Sequence, residues 1–129
     1  MAELIDKQRA HASARAAFER IRALVIAYDA AQTPEAEQRA KAAITDDAPQ
    51  IAVRSNWHRP GDAEHVSEYR ILVAPGSPAV QIIGDIEDGE PYTARLGYQD
   101  WFTRWEECEL TEEEEKQLLC YAKCFIYTN

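Results

Sequence analysis

No run of about 18 apolar residues occurs in this chain, which excludes a helix able to span a membrane. The opening MAELIDKQRAHA lacks the apolar core of a secretory signal, so a cytoplasmic setting is expected. Cysteine is scarce: there are 3, an odd number, at Cys108, Cys120 and Cys124. Cys120 and Cys124 stand one helical turn apart and have no second close pair to match them. A disulfide framework and a structural zinc shell therefore both lack their usual spacing, and reduced thiols with no cofactor are expected. Also missing are a lysine-bearing glycine loop for phosphate, a G-x-S-x-G elbow and an H-E-x-x-H helix, so no catalytic signature stands out.

With 129 residues and 46% hydrophobic content, the chain suits a single domain over residues 1–129. Residues 1–46 read as a helical pair. Neither proline nor glycine interrupts residues 3–30, where Ala14, Ala17, Phe18, Ile21, Leu24, Val25 and Tyr28 recur at helical spacing. Thr33-Pro34-Glu35 restarts a second helix, running to about Ile44, with a capping threonine and proline in the first turn.

Residues 50–129 read as a four-stranded antiparallel β-meander followed by a C-terminal helix. Ile51, Val53 and Trp57 alternate onto one face of the first strand, and Tyr69, Ile71 and Val73 onto that of the second. The hairpin Ala79–Ile86 and Tyr92–Gln99 turns at Glu87-Asp88-Gly89. A two-residue turn would place Ile82 opposite Arg95, splitting the apolar residues between faces. A three-residue loop pairs Val80 with Leu96, Ile82 with Ala94 and Gly84 with Tyr92, so this register is expected, with the Tyr92 ring over the glycine. The other face then carries Arg54, Arg70, Arg95, Gln81 and Thr93, with Leu72 and Ile83. Thr111 and Glu114 form a capping box for the last helix, whose stripe is Leu118, Leu119, Ala122, Phe125 and Ile126, reaching almost to Asn129. The expected fold class is α+β, in the order ααββββα.

The net charge of −9 is concentrated: 12 acids and 2 arginines between Asp85 and Glu115 give −10 there and leave +1 elsewhere. Such a sector repels nucleic acid and steers toward basic partners; acid-rich loops also simply keep small proteins in solution. Within it, Trp101, Phe102 and Trp105 crowd three large aromatics into five residues. They cannot all point inward from a short turn, and an exposed aromatic inside an acidic rim is a common anchor for a protein partner. The candidate partner-binding residues are thus Trp105, Phe102, Asp100, Glu106, Glu107, Glu109, Glu112 and Glu113. The loop from His58 to His65 gathers two histidines and two acids around Pro60-Gly61. With the sheet arginines it offers the competing reading, a small-molecule-binding or enzymatic domain.

PAVQIIGDI and ARLGYQDW resemble segments of small accessory proteins of phages and mobile elements, over roughly Trp57 to Phe125. In those proteins a tryptophan-rich turn and a short terminal helix follow. The resemblance implies a setting and not a chemistry: small acidic phage proteins are often binding proteins that block a host machine, anti-CRISPR inhibitors among them. A non-enzymatic inhibitor of a host complex with a basic surface is the expectation, without direct nucleic-acid or membrane binding and with its oligomeric state open.

Overall fold

The computed structural model describes residues 2–47, 50–55, 57, 59–61, 66–76, 78–100 and 104–127, with the side chains of residues 2–7 excepted. The elements run α1 (Ala2–Ala30), α2 (Pro34–Asp47), β1 (Gln50–Ser55), β2 (Val66–Ala74), β3 (Ala79–Glu87), β4 (Glu90–Pro91), β5 (Arg95–Gln99), β6 (Glu106–Cys108) and α3 (Glu112–Ala122). The α+β class and the C-terminal helix are as expected. The sheet is antiparallel but has six strands and not four, ordered β1-β2-β3-β5-β6 with β4 paired to β3. Among the described residues no helix is long and apolar enough to cross a membrane.

The hairpin departs from the expected register, and the reason is instructive. Its tip is the two-residue turn Asp88-Gly89, both at positive φ (53° and 82°), the pairing favoured between twisted strands. Glu87 faces Glu90 and Ile86 faces Pro91. Continued unbroken, this register would put Leu96 on the wrong face. One extra residue absorbs the conflict: Thr93 and Ala94 together oppose Gly84, a β-bulge, and beyond it Ile82 faces Leu96 and Val80 faces Tyr98. The bulge is pinned by Asp85 N–H donating to Thr93 Oγ1 (2.8 Å) and by Tyr69 Oη donating to the Thr93 carbonyl (2.6 Å). Gly84 is therefore covered by Tyr69 and the Thr93 carbonyl, while Tyr92 is exposed.

On the inner face, Tyr69, Ile71, Val73, Val80, Ile82 and Leu96 are buried against Phe18, Ile21 and Val25 of α1 and Leu118, Tyr121 and Ala122 of α3. Since α1 lies across β3, β5 and β6, the inner face of β1 is left uncovered. Ile51 and Val53, expected inward, are 37% and 46% exposed, and Trp57 lies past the strand end in solvent. α3 is also shorter than expected. After Ala122 the chain tightens, Cys124 N–H reaching the Tyr121 carbonyl and Phe125 N–H that of Ala122. The aromatic and β-branched residues that follow suit a helix poorly, and Tyr127 folds back so that its hydroxyl donates to the Ala122 carbonyl at 2.6 Å. Phe125 and Tyr127 are thereby buried, and Ile126 points to solvent.

Two polar clusters tie the helices together. Thr111 and Glu114 form the capping box, and Glu114 Oε2 also accepts from Arg15 and Arg22, whose guanidinium groups both lie over the Phe18 ring. Asp47 at the end of α2 accepts from Arg20 and from the Tyr121 hydroxyl.

Candidate functional site at the acidic end of the sheet

The strand β6 is built from a weak β sequence, Glu-Glu-Cys, and holds its place through one inward residue. Cys108 faces Leu96, is buried, and lies 3.9 Å from His11 Nε2 across α1. Burial raises the pKa of its thiol, against the lowering effect of Arg15. Strand alternation then fixes the rest. Glu107 stands opposite Gly97 on the outer face, and Trp105, two residues earlier, shares that face.

Trp105 lies against Gly97, where a Cβ would come into ordinary van der Waals contact with the Glu106 carbonyl (3.5 Å), the Trp105 ring (3.6 Å) and Gln81 Cγ (3.7 Å). Trp105 remains 40% exposed. The same row across the sheet runs Gln81, Gly97, Glu107. Gln81, Ile83, Arg95, Leu96, Gly97, Trp105, Glu106 and Glu107 line a hollow of about 230 Å³.

Glu19, Asp47, Glu68 and Glu114 are taken up in ion pairs with arginines. Glu106, Glu107, Glu109, Glu112 and Glu113 are exposed and make no ion pair among the described residues. Glu112 and Glu113 stand in the first turn of α3, where the helix dipole favours negative charge. Glu106 and Glu107 sit on an edge strand, where charge discourages pairing with another chain. Asp100 follows directly after β5 and is partly buried. Phe102, with Trp101, lies outside the described residues, as do His58 and Asp62 to His65.

The outer face continues away from Trp105 into a broader groove of about 450 Å³ lined by Ala52, Arg54, Glu68, Arg70, Ile83 and Arg95. Arg54 is paired with Glu68. Arg70 and Arg95 are exposed and have no hydrogen-bond or ion-pair partner among the described residues. The expected arginine-bearing face is thus present, and Trp105 lies on that face and not apart from it. Thr93, placed on the same face by the expected register, is instead consumed by the bulge.

Gln81 was expected as an ordinary outward polar residue. It is only 5% exposed, and its Oε1 is buried with no hydrogen-bond partner among the described residues. The signal for this was the glycine on the neighbouring strand together with the aromatics that follow it. Among the described residues no group of three or more His, Cys, Asp or Glu side chains converges as a metal shell would require. No protein-family model, curated protein or solved structure matches this chain.

Proposed function

We propose that this chain is a non-enzymatic binding protein that docks the β6–α3 end of its sheet onto a basic surface of a protein partner. The observation that carries this is a half-exposed Trp105 sharing a hollow with Glu107, at the end of the sheet where Glu106, Glu109, Glu112 and Glu113 are also exposed and make no ion pair among the described residues. An aromatic anchor supplies contact energy and the acidic rim supplies orientation and encounter rate. Since the rim repels phosphate, the partner is a protein and not a nucleic acid. A basic groove made to hold nucleic acid is the natural counterpart, so the reading extends to an inhibitor of a host nucleic-acid-handling complex. The resemblance of its central segments to phage accessory proteins supports that extension by analogy only.

The test is capture from host lysate on immobilised wild type, Trp105→Ala and a Glu106/Glu107/Glu109 charge reversal, with each variant checked for folding by circular dichroism. A partner held by wild type and lost by both variants supports the proposal. A partner held equally by all three, and lost on substituting Arg70 and Arg95, contradicts it.

A second reading rests on those two arginines. Their unpaired guanidinium groups border a groove large enough for a small anionic ligand. Saturable binding of such a ligand, lost in Arg70→Ala, would favour it.

A further inference from the structure

Among the described residues, Gln81 Oε1 is a buried acceptor on the outer face with no hydrogen-bond partner. A buried acceptor without a donor bears its full desolvation penalty, so its presence here asks for a reason. Methionine or leucine would fill the same space under Trp105 without that penalty. The unpartnered oxygen is instead placed in a row with a bare glycine and Glu107, beside the indole of Trp105.

What Gln81 Oε1 lacks is a donor. Glu107 in the same row is a further acceptor, and the π-face of an indole attracts positive charge. A carboxylate or phosphate brings acceptors only and leaves that oxygen unsatisfied. An ammonium brings donors from a point, while a guanidinium brings five in a plane that stacks on an aromatic ring and spans two acceptors at once. The ring of Trp105 lies against Gly97 and is still 40% exposed, which leaves indole surface open to a planar group. The terminal torsion of a glutamine is soft, so an arriving donor can draw Oε1 toward the hollow at little expense. Arg95, at the far end of the hollow, opposes a second positive charge there. It thereby sets the direction of entry, from the Glu107 side.

We propose that the hollow bounded by Gln81, Gly97, Trp105 and Glu107 receives an arginine side chain of the partner, its guanidinium stacked on Trp105 and bonded to Gln81 Oε1 and the Glu107 carboxylate. This rests on the docking reading above and makes it specific: the basic partner presents a projecting arginine, not merely a positive field.

The test is an NMR titration with N-acetyl-arginine amide, following the Gln81 side-chain NH2 and the Trp105 indole N–H. Gln81→Met and Trp105→Phe identify those resonances, and N-acetyl-glutamate amide serves as the anionic probe. Saturable shifts of both signals with the arginine probe are expected. Glu107→Gln should weaken them about tenfold, the loss of one charge-assisted hydrogen bond. No saturable shift, or shifts produced by the glutamate probe through Arg95, would overturn the assignment. If a captured partner depends on Trp105 yet the arginine probe leaves Gln81 unmoved, the pocket is wrong and the docking surface stands. If the probe binds but partner capture ignores Trp105 and Glu107, the pocket is supported and the docking reading fails.

Discussion

Arg22 donates to Glu114 Oε2 at 2.6 Å, and Arg15 donates to the same oxygen at 2.9 Å, so two arginines of the first helix grip one carboxylate of the last. The Arg15 hydrogen bond, then the backbone bond from Thr111, lower the Glu114 pKa from 4.5 to about 2. Because the folded value lies below the unfolded one, the stabilisation is complete above the unfolded value and disappears as pH falls toward 2. Urea unfolding of wild type and Glu114→Gln should therefore show a gap in midpoint that is widest at neutral pH. That gap should close on acidification through the range between the two values. A gap independent of pH would mean that the carboxylate charge is not what the arginines hold.

Ile82 faces Leu96 directly across β3 and β5, and both are fully buried. Ile82→Ala removes buried methylenes at the middle of the core and should cost about 2–5 kcal/mol. Chemical denaturation measures it, and a loss below 1 kcal/mol, on the order of a surface change, would place Ile82 outside the core.

Gly84 has no room for a side chain. A Cβ there would stand 2.0 Å from the Thr93 carbonyl and 2.7 Å from the Tyr69 hydroxyl. The first neighbour is backbone and cannot swing aside. Gly84→Ala should destabilise by about 3 kcal/mol, at the upper end of overpacking costs. It should also break the Tyr69–Thr93 hydrogen bond, which the tyrosine ring signals in an NMR spectrum would report.

Gln81→Met should move stability the other way. Removing an unsatisfied buried acceptor while keeping the side-chain volume should raise stability, by up to about 1–3 kcal/mol. The same substitution removes a contact from the proposed arginine pocket. A variant that is more stable in thermal denaturation but binds the partner less well is the expected outcome. A Gln81→Met protein that is less stable would mean that the amide is satisfied in solution.

With a partner in hand, the two halves of the docking surface should separate kinetically. Reversing the charge of Glu106, Glu107 and Glu109 should slow association at low salt, with the difference shrinking as salt rises. Trp105→Ala should act on dissociation and cost about 2 kcal/mol or more at every salt concentration. Surface plasmon resonance across a salt series distinguishes the two signatures.

The periodicity of α1, the caps at Thr33 and Thr111, and the inward rows Tyr69–Ile71–Val73 and Val80–Ile82 were legible because each is written in neighbouring residues. Thr33 Oγ1 accepts from Ala36 N–H and the Thr111 box closes as its sequence says. The hairpin was half legible. Its side-chain parity demanded one residue beyond a two-residue turn, and the chain spends that residue at Thr93–Ala94 because Asp-Gly already makes the tighter turn well. β6 was not legible, since Glu-Glu-Cys has little strand propensity and pairs only because Cys108 can be buried beside Leu96. Of the candidate site, the acids and Trp105 were visible as composition. That Trp105 lies on the arginine-bearing face, above a buried Gln81, depends on a glycine two strands' pairing away and could not be read from local pattern.

The grip of α1 on α3 joins residues 92 and 99 positions apart. During synthesis at about 5–20 residues per second, the first helix must wait roughly 5–20 s before its last partner exists. α2, made next, packs on α1, while the sheet cover of Phe18, Ile21 and Val25 waits until β3 and β5 have been made. The stripe is narrow, cut with alanines and bordered by arginines and glutamates, which limits what it can stick to while it waits. The grip of α1 on α3 is thus a late contact in synthesis, since Glu114 is made long after Arg15 and Arg22.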